Sequence, residues 1–162
     1  MKKASALTAY FSHSGNTRVI AHQIHENIGG DLFEIVSMDP YPSDYDEVVE
    51  RARKELDRDF RPRLTTKVEN MGSYRVVFVG YPNWWGTVPR PVATFLTEYD
   101  FSGKTMVPFC THEGSHLGRS VTDIKALCPQ STILDGLAVR GSNVKNAENE
   151  VSGWLRELGL KK

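Results

Sequence analysis

The sequence predicts an α/β fold in which helices cover both faces of a parallel sheet. Two observations support this prediction. Segments typical of buried strands alternate with amphipathic helical segments five times along the chain. The third strand segment, residues 76–79, is apolar at every position, which is typical of a central parallel strand covered on both sides. Right-handed crossover connections then place helices on both faces of the sheet.

The first half of the chain provides two strand–helix units. A strand is predicted over residues 4–11, and the helix after it has apolar residues at helical spacing before Gly29. A second strand over residues 32–36 leads through a turn with two prolines to a charged helix. The apolar stripe of that helix consists of Tyr45, Val48, Val49, Ala52 and Leu56. Its other face has the i,i+4 pairs Glu47–Arg51 and Glu50–Lys54, which indicate a solvated surface.

The second half provides three more units. Strands are predicted over residues 75–80, 105–110 and 131–135, and a short helix over residues 119–127. The helix after the third strand has an apolar face made of Val92, Phe95, Leu96 and Tyr99. The last helix has Val144, Ala147, Val151, Trp154, Leu155 and Leu158 on one face. No linker interrupts the pattern, so residues 1–162 are predicted to form one domain.

The composition argues against several classes of function. Lys plus Arg and Asp plus Glu both total 20, so the chain lacks the charge imbalance of proteins that bind nucleic acid or anionic membranes. No apolar stretch approaches the ~20 residues that span a bilayer. The two cysteines, Cys110 and Cys128, are far apart and form no metal-binding pair, which favours a reduced, cytoplasmic chain.

Three loops are predicted to meet at one edge of the sheet. In open parallel sheets, ligands bind beyond the carboxyl ends of the strands, at the point where the strand order reverses. The segments that follow the first, third and fourth strands lie at that edge. We name them loop 1 (residues 12–17), loop 2 (residues 81–90) and loop 3 (residues 111–118).

Loop 1 has the composition of an anion site. Ser12, Ser14, Asn16 and Thr17 surround Gly15 at a strand-to-helix turn, and the N–H groups of a helix N-terminus suit a phosphate. The alternative is a simple helix cap, which needs only one such residue. The chain lacks a Walker A loop at this turn and contains no G-x-G-x-x-G, so neither a P-loop nor a Rossmann dinucleotide site is indicated.

Loop 2 contains the adjacent tryptophans Trp84 and Trp85, followed by Gly86. Trp is costly to expose, and its flat ring suits a planar aromatic ligand. Glycine allows a close approach of the backbone. The alternative is that one of the two rings packs under the loop as part of the core.

Loop 3 contains a string that matches the H-E-x-x-H signature of zinc hydrolases, with His112, Glu113 and His116. In those enzymes both histidines lie on one face of a helix. Here the string follows a predicted strand, and Gly114 and Gly118 each disfavour a helix by about 1 kcal/mol relative to Ala. A zinc hydrolase is therefore a remote alternative, and no metal site is predicted. The favoured interpretation is a Gly-rich loop whose backbone faces a ligand.

Together the loop sequences YFSHSGNT, GYPNWWGT and PFCTHEGSHLG resemble those of the flavodoxin family, in particular of short bacterial flavodoxin-like FMN proteins. The resemblance spans the whole chain. It implies a three-layer α/β/α sandwich with a five-stranded parallel sheet in the strand order 2-1-3-4-5. It also implies a non-covalently bound FMN.

The resemblance further implies which residues contact FMN. Loop 1 would hold the 5′-phosphate through Ser12, His13, Ser14, Gly15, Asn16 and Thr17. Loop 2 would line one side of the isoalloxazine ring through Pro82, Asn83, Trp84, Trp85, Gly86 and Thr87, with one tryptophan stacked on the ring. Loop 3 would close the other edge through Thr111, His112, Glu113, Gly114 and Ser115. The peptide joining Trp85 to Gly86, or the next one, would accept the hydrogen gained at flavin N5.

Two features depart from the flavodoxin pattern. Many flavodoxins are strongly acidic, whereas this chain is neutral, and many stack a loop 3 tyrosine on the flavin, whereas this chain has His112 and His116. The main hypothesis is a redox protein that carries electrons between partner proteins, as a monomer or homodimer. The alternative is an oxidoreductase that uses NAD(P)H to reduce a quinone or similar small acceptor, with His112 or His116 as catalytic candidates. A receiver-like domain is disfavoured, because the first strand ends without an acidic cluster.

Overall fold

The computed structural model describes residues 6–161. The predicted start of the first strand, residues 4 and 5, lies outside this range. The strands are β1 (Ala6–Tyr10), β2 (Asp31–Glu34), β3 (Val76–Pro82), β4 (Thr105–His112), β5 (Thr132–Ile133) and β6 (Leu137–Arg140). The α-helices are α1 (Asn16–Ile28), α2 (Tyr45–Asp57), α3 (Arg90–Glu98), α4 (Ser120–Leu127) and α5 (Glu148–Glu157), and short 3-10 helices cover Met71–Ser73 and Gly141–Asn146.

The sheet is parallel and its strand order is β2-β1-β3-β4-β5, which confirms the predicted topology. The reversal of the order between β1 and β3 places the carboxyl ends of β1, β3 and β4, and hence the three loops, at one edge.

The fifth position of the sheet differs from the prediction, because two short strands share it. Strand β5 pairs with the start of β4, and β6 pairs with its end, from Phe109↔Leu137 to His112↔Arg140. The sequence predicted only one strand over residues 131–135. In the structure, residues 134–136 belong to no strand, and pairing with β4 resumes at Leu137.

The core lies on both faces of the sheet, as the apolar run in β3 predicted. Val77 and Val79 point to one face, where they pack with α3 and α4 residues such as Phe95. Phe78 points to the other face and packs with α1 and α5 residues such as Ile24 and Val151. All six side chains are at most 1% exposed, so each layer of helices is firmly attached to the sheet.

Helix α2 differs from its predicted pattern. Tyr45, assigned to the apolar stripe, is 78% exposed, whereas Glu55 is only 4% exposed. The reason is a tertiary contact: Tyr41, in the segment before the helix, donates a hydrogen bond to the Glu55 carboxylate. The i,i+4 ion pairs are Arg51–Glu55 and Arg53–Asp57, not the predicted ones. The helices found among residues 6–161 include none with the length and hydrophobicity of a membrane span.

Candidate functional site

Loop 1 closes around the side chain of Ser12. Its hydroxyl oxygen accepts hydrogen bonds from the backbone N–H groups of Gly15 (3.1 Å) and Arg18 (3.3 Å). Gly15 has φ 99°, a left-handed conformation that favours glycine. Within the described part of the chain, the backbone N–H groups of Asn16 and Thr17 have no hydrogen-bond partner. Helix α1 therefore begins with free donors and the positive end of its dipole, an arrangement that suits an anion.

Two other loop 1 side chains bond to the protein itself. The Thr17 hydroxyl is buried and lies 2.8 Å from the Thr111 hydroxyl of β4. The His13 Nε2 atom lies within 2.8 Å of the Pro42 carbonyl oxygen, to which it donates a hydrogen bond. Thr17 therefore ties loop 1 to loop 3, and His13 ties loop 1 to the segment before α2. The Ser14 side chain stays exposed.

Loop 2 contains a tight turn. The backbones of Trp84 and Thr87 exchange hydrogen bonds of 3.1 and 3.2 Å. Between them, Trp85 has φ 56° and Gly86 has φ 81°, the signs typical of a type I′ turn. A positive φ costs a non-glycine residue on the order of 1 kcal/mol. The turn thus holds the Trp85 backbone in a strained conformation.

The two tryptophans of loop 2 have different surroundings. Trp84 is half-buried, and its ring makes edge contacts with Phe11 and Tyr41 at centroid distances of 5.4 and 5.0 Å. Trp85 is 48% exposed, and its Nε1 donates to the Val49 carbonyl oxygen of α2 at 2.9 Å. One ring therefore joins the aromatic core, as the alternative interpretation proposed, and the other presents an open face.

Loop 3 begins later than predicted, because Thr111 and His112 belong to β4 and pair with β6. His112 is 6% exposed, and its Nδ1 accepts a hydrogen bond from the Gly114 N–H at 2.9 Å. His116 lies in the following turn with φ 55°. The two imidazole rings pack against each other with centroids 4.5 Å apart. The helix that the zinc-hydrolase alternative requires does not form, because His112 lies in a strand and His116 in a turn.

The electrostatic surroundings of His112 disfavour its protonation. Burial is the main cause and lowers the pKa of the imidazole, and the neighbouring His116 and Arg140 lower it further. Glu113 acts in the opposite direction. The Arg140 side chain itself donates to the Glu113 carbonyl oxygen at 3.1 Å, which holds the cation beside loop 3.

Loops 2 and 3 are joined by their backbones. The Arg119 N–H donates to the Gly86 carbonyl oxygen at 2.8 Å. Gly118 lies so close that a Cβ atom at this position would be 2.4 Å from the same oxygen. At the base of the loops, the Asn83 N–H donates to the Thr111 carbonyl oxygen at 2.8 Å. The structure therefore brings the predicted loops together at one edge of the sheet.

Sequence reasoning missed several residues that shape this edge. Gly141, at the end of β6, leaves room for loops 1 and 3, since a Cβ there would lie 2.7 Å from Asn16 Nδ2 and 2.5 Å from Glu113 Oε2. Tyr41 supports Trp84, and its ring has the Arg51 guanidinium 4.0 Å above its centre. Burial and then the Glu55 carboxylate raise the pKa of Tyr41, so its hydroxyl remains a donor.

One polar atom at this edge lacks a partner. The Asn83 Oδ1 atom is buried and accepts no hydrogen bond from any described residue. The other atoms of this kind belong to Thr8, Gln23 and His25, which lie in β1 and α1. A buried acceptor without a donor costs roughly 1–3 kcal/mol, so Asn83 marks a place suited to a ligand donor.

The strand order and the three joined loops define an α/β protein whose ligand site lies at the switch point of the sheet. The sequence model of the flavodoxin family matches residues 5–158, and this chain belongs to that family. The match confirms the resemblance drawn from the loop sequences.

Several solved structures are similar to this chain. A candidate flavoprotein from Bacteroides eggerthii DSM 20697 is 35% identical with a TM-score of 0.85, over 97% of this chain and 99% of that one. The flavoprotein from Lactobacillus acidophilus NCFM, solved in complex with FMN, is 22% identical with a TM-score of 0.74, over 88% and 97%. Fusobacterium nucleatum flavodoxin bound to flavin mononucleotide is 15% identical with a TM-score of 0.56, over 95% and 96%. A comparison with curated proteins gave no match.

Proposed function

We propose that this chain binds FMN non-covalently and carries electrons between redox partners. The observation that supports the proposal most is the free N-terminus of α1 beside the joined loops 2 and 3, at the edge where flavodoxin-like folds bind ligands. When bound, FMN supplies one- and two-electron redox chemistry, and the protein orients it and tunes its potential. The structures of two similar proteins that contain FMN support the choice of cofactor.

The loop 1 donors fit the phosphate of FMN. In our proposal the N–H groups of Asn16 and Thr17 and the Ser14 hydroxyl hold it, with the dipole of α1 adding roughly half a positive charge. The Arg18 guanidinium is paired with Glu34 at 2.6 Å, so the phosphate is held mainly by neutral donors. His13 and Thr17 position the loop through their bonds to Pro42 and Thr111.

Trp85 fits the role of the stacking residue. Trp85 is 48% exposed, whereas Trp84 is half-buried and its ring contacts Phe11 and Tyr41. We propose that Trp85 covers the flavin and that Trp84 supports the loop from below. The ring of Trp85 is not held by packing in the core. Its position at the surface is set by the strained backbone, with φ 56°.

The loop 2 peptides differ in their freedom to accept a hydrogen bond. The Gly86 carbonyl oxygen already accepts from Arg119, whereas the Trp85 carbonyl oxygen has no partner among residues 6–161. Of the two candidate peptides, we therefore propose that the one joining Trp85 to Gly86 accepts a hydrogen bond from the N5–H of reduced flavin. The Arg119 contact holds the next peptide in place.

A second candidate function is an oxidoreductase that takes hydride from NAD(P)H and reduces a quinone or similar acceptor. It is favoured by loop 3, where residues 113–116 are exposed and provide no tyrosine to cover the flavin. An uncovered flavin face leaves space for a nicotinamide. His116, exposed beside that face, is the residue best placed to donate a proton to an acceptor.

Two ligand titrations test the proposed function. The purified protein is expected to be yellow and to release FMN on denaturation. The apoprotein is expected to bind FMN about 100-fold more tightly than riboflavin, because riboflavin lacks the phosphate that loop 1 holds. A colourless protein that binds neither flavin contradicts the proposal, and equal affinities contradict the role of loop 1. Rapid mixing with NADPH or NADH separates the candidates: the flavin of a carrier stays oxidised, and that of an oxidoreductase bleaches.

We further propose a cytoplasmic location and a partner redox protein, with the chain acting as a monomer or homodimer. Both cysteines are free and buried, which supports a reducing compartment. The balance of 20 basic and 20 acidic residues supports a function without nucleic acid or membrane partners.

A further inference from the structure

We infer that Asn83 and His112 together bind the pyrimidine edge of the flavin, Asn83 Oδ1 as a hydrogen-bond acceptor and His112 Nε2–H as a donor. The inference rests on the proposed function, since it assumes that FMN occupies this edge of the sheet. It assigns contacts to side chains of loops 2 and 3, whereas the sequence predicted that the backbone of loop 3 faces the ligand.

The orientation of the Asn83 amide is fixed by the protein. Its Nδ2 donates to the His116 carbonyl oxygen at 2.7 Å, so Oδ1 must occupy the other side of the amide. The backbone of Asn83 is fixed as well, by its bond to the Thr111 carbonyl oxygen. The unpartnered oxygen is thus held in place before any ligand arrives, and burial makes a donor from the ligand favourable.

The tautomer of His112 is also fixed by the protein. Because Nδ1 accepts the Gly114 N–H, that nitrogen carries no proton, and the proton of the neutral ring lies on Nε2. No described residue bonds to Nε2. The ring therefore presents a neutral N–H donor whose direction is set by the backbone of Gly114.

His116 contacts both of these residues. Asn83 bonds to the His116 backbone, and the His112 ring packs on the His116 ring with centroids 4.5 Å apart. Loops 2 and 3 thus place an unpartnered acceptor and an unpartnered donor around a single residue. This pattern matches the pyrimidine edge of an isoalloxazine ring, where the N3–H donor lies between two carbonyl acceptors.

The test combines protein variants with a flavin that lacks the donor. Apoproteins are titrated with FMN and with 3-methyl-FMN, in which a methyl group replaces the N3 hydrogen. The wild type is expected to bind FMN at least about tenfold more tightly than 3-methyl-FMN. Asn83→Ala is expected to weaken the binding of FMN about tenfold and that of 3-methyl-FMN much less. The reason is that 3-methyl-FMN has no N3–H and so cannot donate to Asn83 Oδ1 even in the wild type.

Paired variants of His112 test the donor. A glutamine amide can take the place of Nε2–H, whereas an asparagine oxygen can take the place of Nδ1 but supplies no group at Nε2. His112→Gln is expected to keep most of the FMN affinity, and His112→Asn to lose about tenfold. Proton NMR of bound [15N]FMN gives an independent readout: the N3–H signal is expected to be protected from exchange in the wild type and not in Asn83→Ala.

The outcomes separate this inference from the proposed function. If the wild type binds no FMN, both fail. If it binds FMN but does not discriminate against 3-methyl-FMN, or if Asn83→Ala weakens both ligands equally, only the assignment of Asn83 fails. Equal losses in His112→Gln and His112→Asn overturn the assignment of His112. The comparison of the two flavins on the wild type needs no variant, so it stays decisive even where a variant folds poorly.

Discussion

At the scale of single residues, the loops are held by unusual conformations and by fixed polar groups. Trp85 and His116 both adopt positive φ angles without being glycine. Such strain persists only where surrounding contacts maintain it, and here both residues bond to other segments, Trp85 to Val49 and His116 to Asn83. The site is therefore formed in advance of its ligand.

The burial of His112 leads to a prediction on pH and stability. Its pKa is lowered in the folded state, so its neutral form stabilises the protein above the unfolded pKa of about 6.5, and that contribution is lost as the pH falls from there through the lower folded pKa. The groups that face the ring are His116, Arg140 and Glu113. His112→Asn keeps an acceptor for the Gly114 N–H but cannot titrate. Its urea midpoint is expected to fall less than that of the wild type between pH 7.5 and pH 5.5.

A matched control for this experiment is His22→Asn, which removes an exposed histidine on α1. Because this change leaves His112 and its neighbours in place, the variant is expected to keep the pH dependence that His112 provides. If His112→Asn also matches the wild type, then burial does not keep the His112 ring neutral.

At the scale of elements, helix α2 contacts the site at Tyr41 and at Trp85. Tyr41 bonds to Glu55 of the helix, and Trp85 bonds to its Val49 carbonyl oxygen. Among the described residues, Tyr41→Phe leaves the buried Glu55 carboxylate with only Arg51 as a partner. It is expected to lower the free energy of unfolding by about 1–3 kcal/mol. Hydrogen exchange is expected to become faster in the amides of α2.

Tyr74→Phe is the matched control, because it removes a tyrosine bond to Asp31 on another part of the fold. It is expected to lower stability without faster exchange in α2. Equal exchange in α2 for both variants would show that Tyr41 does not attach the helix.

The sequence predicted most elements because their patterns are local. Periodicity was sufficient for α1, α3 and β3, whereas strand β6 was missed. Its partner β4 is distant in sequence, and Asp135 and Gly136 before it are typical of a turn. Thr111 and His112 were assigned to a loop because they are polar, yet they extend β4 by pairing with β6. The burial of Glu55 was not predicted, because its partner Tyr41 lies in a different segment.

The site was predictable in its position but not in its bonds. Parallel strands have their carboxyl ends at one edge, so the loops were expected to meet there. Some of the polar side chains in the loops bond to other parts of the protein and are not available to a ligand. Thr17, which bonds to Thr111, is one of them, and such tertiary pairs are not visible in the sequence. The separate surroundings of Trp84 and Trp85 likewise follow from Phe11 and Tyr41, and no local pattern reveals them. The contacts of FMN itself stay predictions.

At the scale of the whole molecule, the balance of charge bears on association with partners. With 20 basic and 20 acidic residues, the protein has little long-range field, and bound FMN adds only about two negative charges. The rate of oxidation of the reduced holoprotein by ferricyanide is expected to change less than about threefold between 0.01 and 0.3 M ionic strength.

The cationic oxidant hexaammineruthenium(III) serves as the control, and its rate is expected to depend on salt equally weakly. A ferricyanide rate that rises more than about tenfold with salt, with a falling ruthenium rate, would reveal a strong negative field around the flavin despite the neutral total.

The contact between Gly118 and Gly86 bears on the making of chimeric proteins. A side chain at position 118 would collide with the Gly86 carbonyl oxygen, which also receives the Arg119 N–H. If loop 3 is transplanted from a relative that lacks glycine at position 118, it cannot pack against loop 2. This holds even where the transplanted loop has suitable ligand-binding residues. Loops 2 and 3 should therefore be transplanted between homologues together, as a pair.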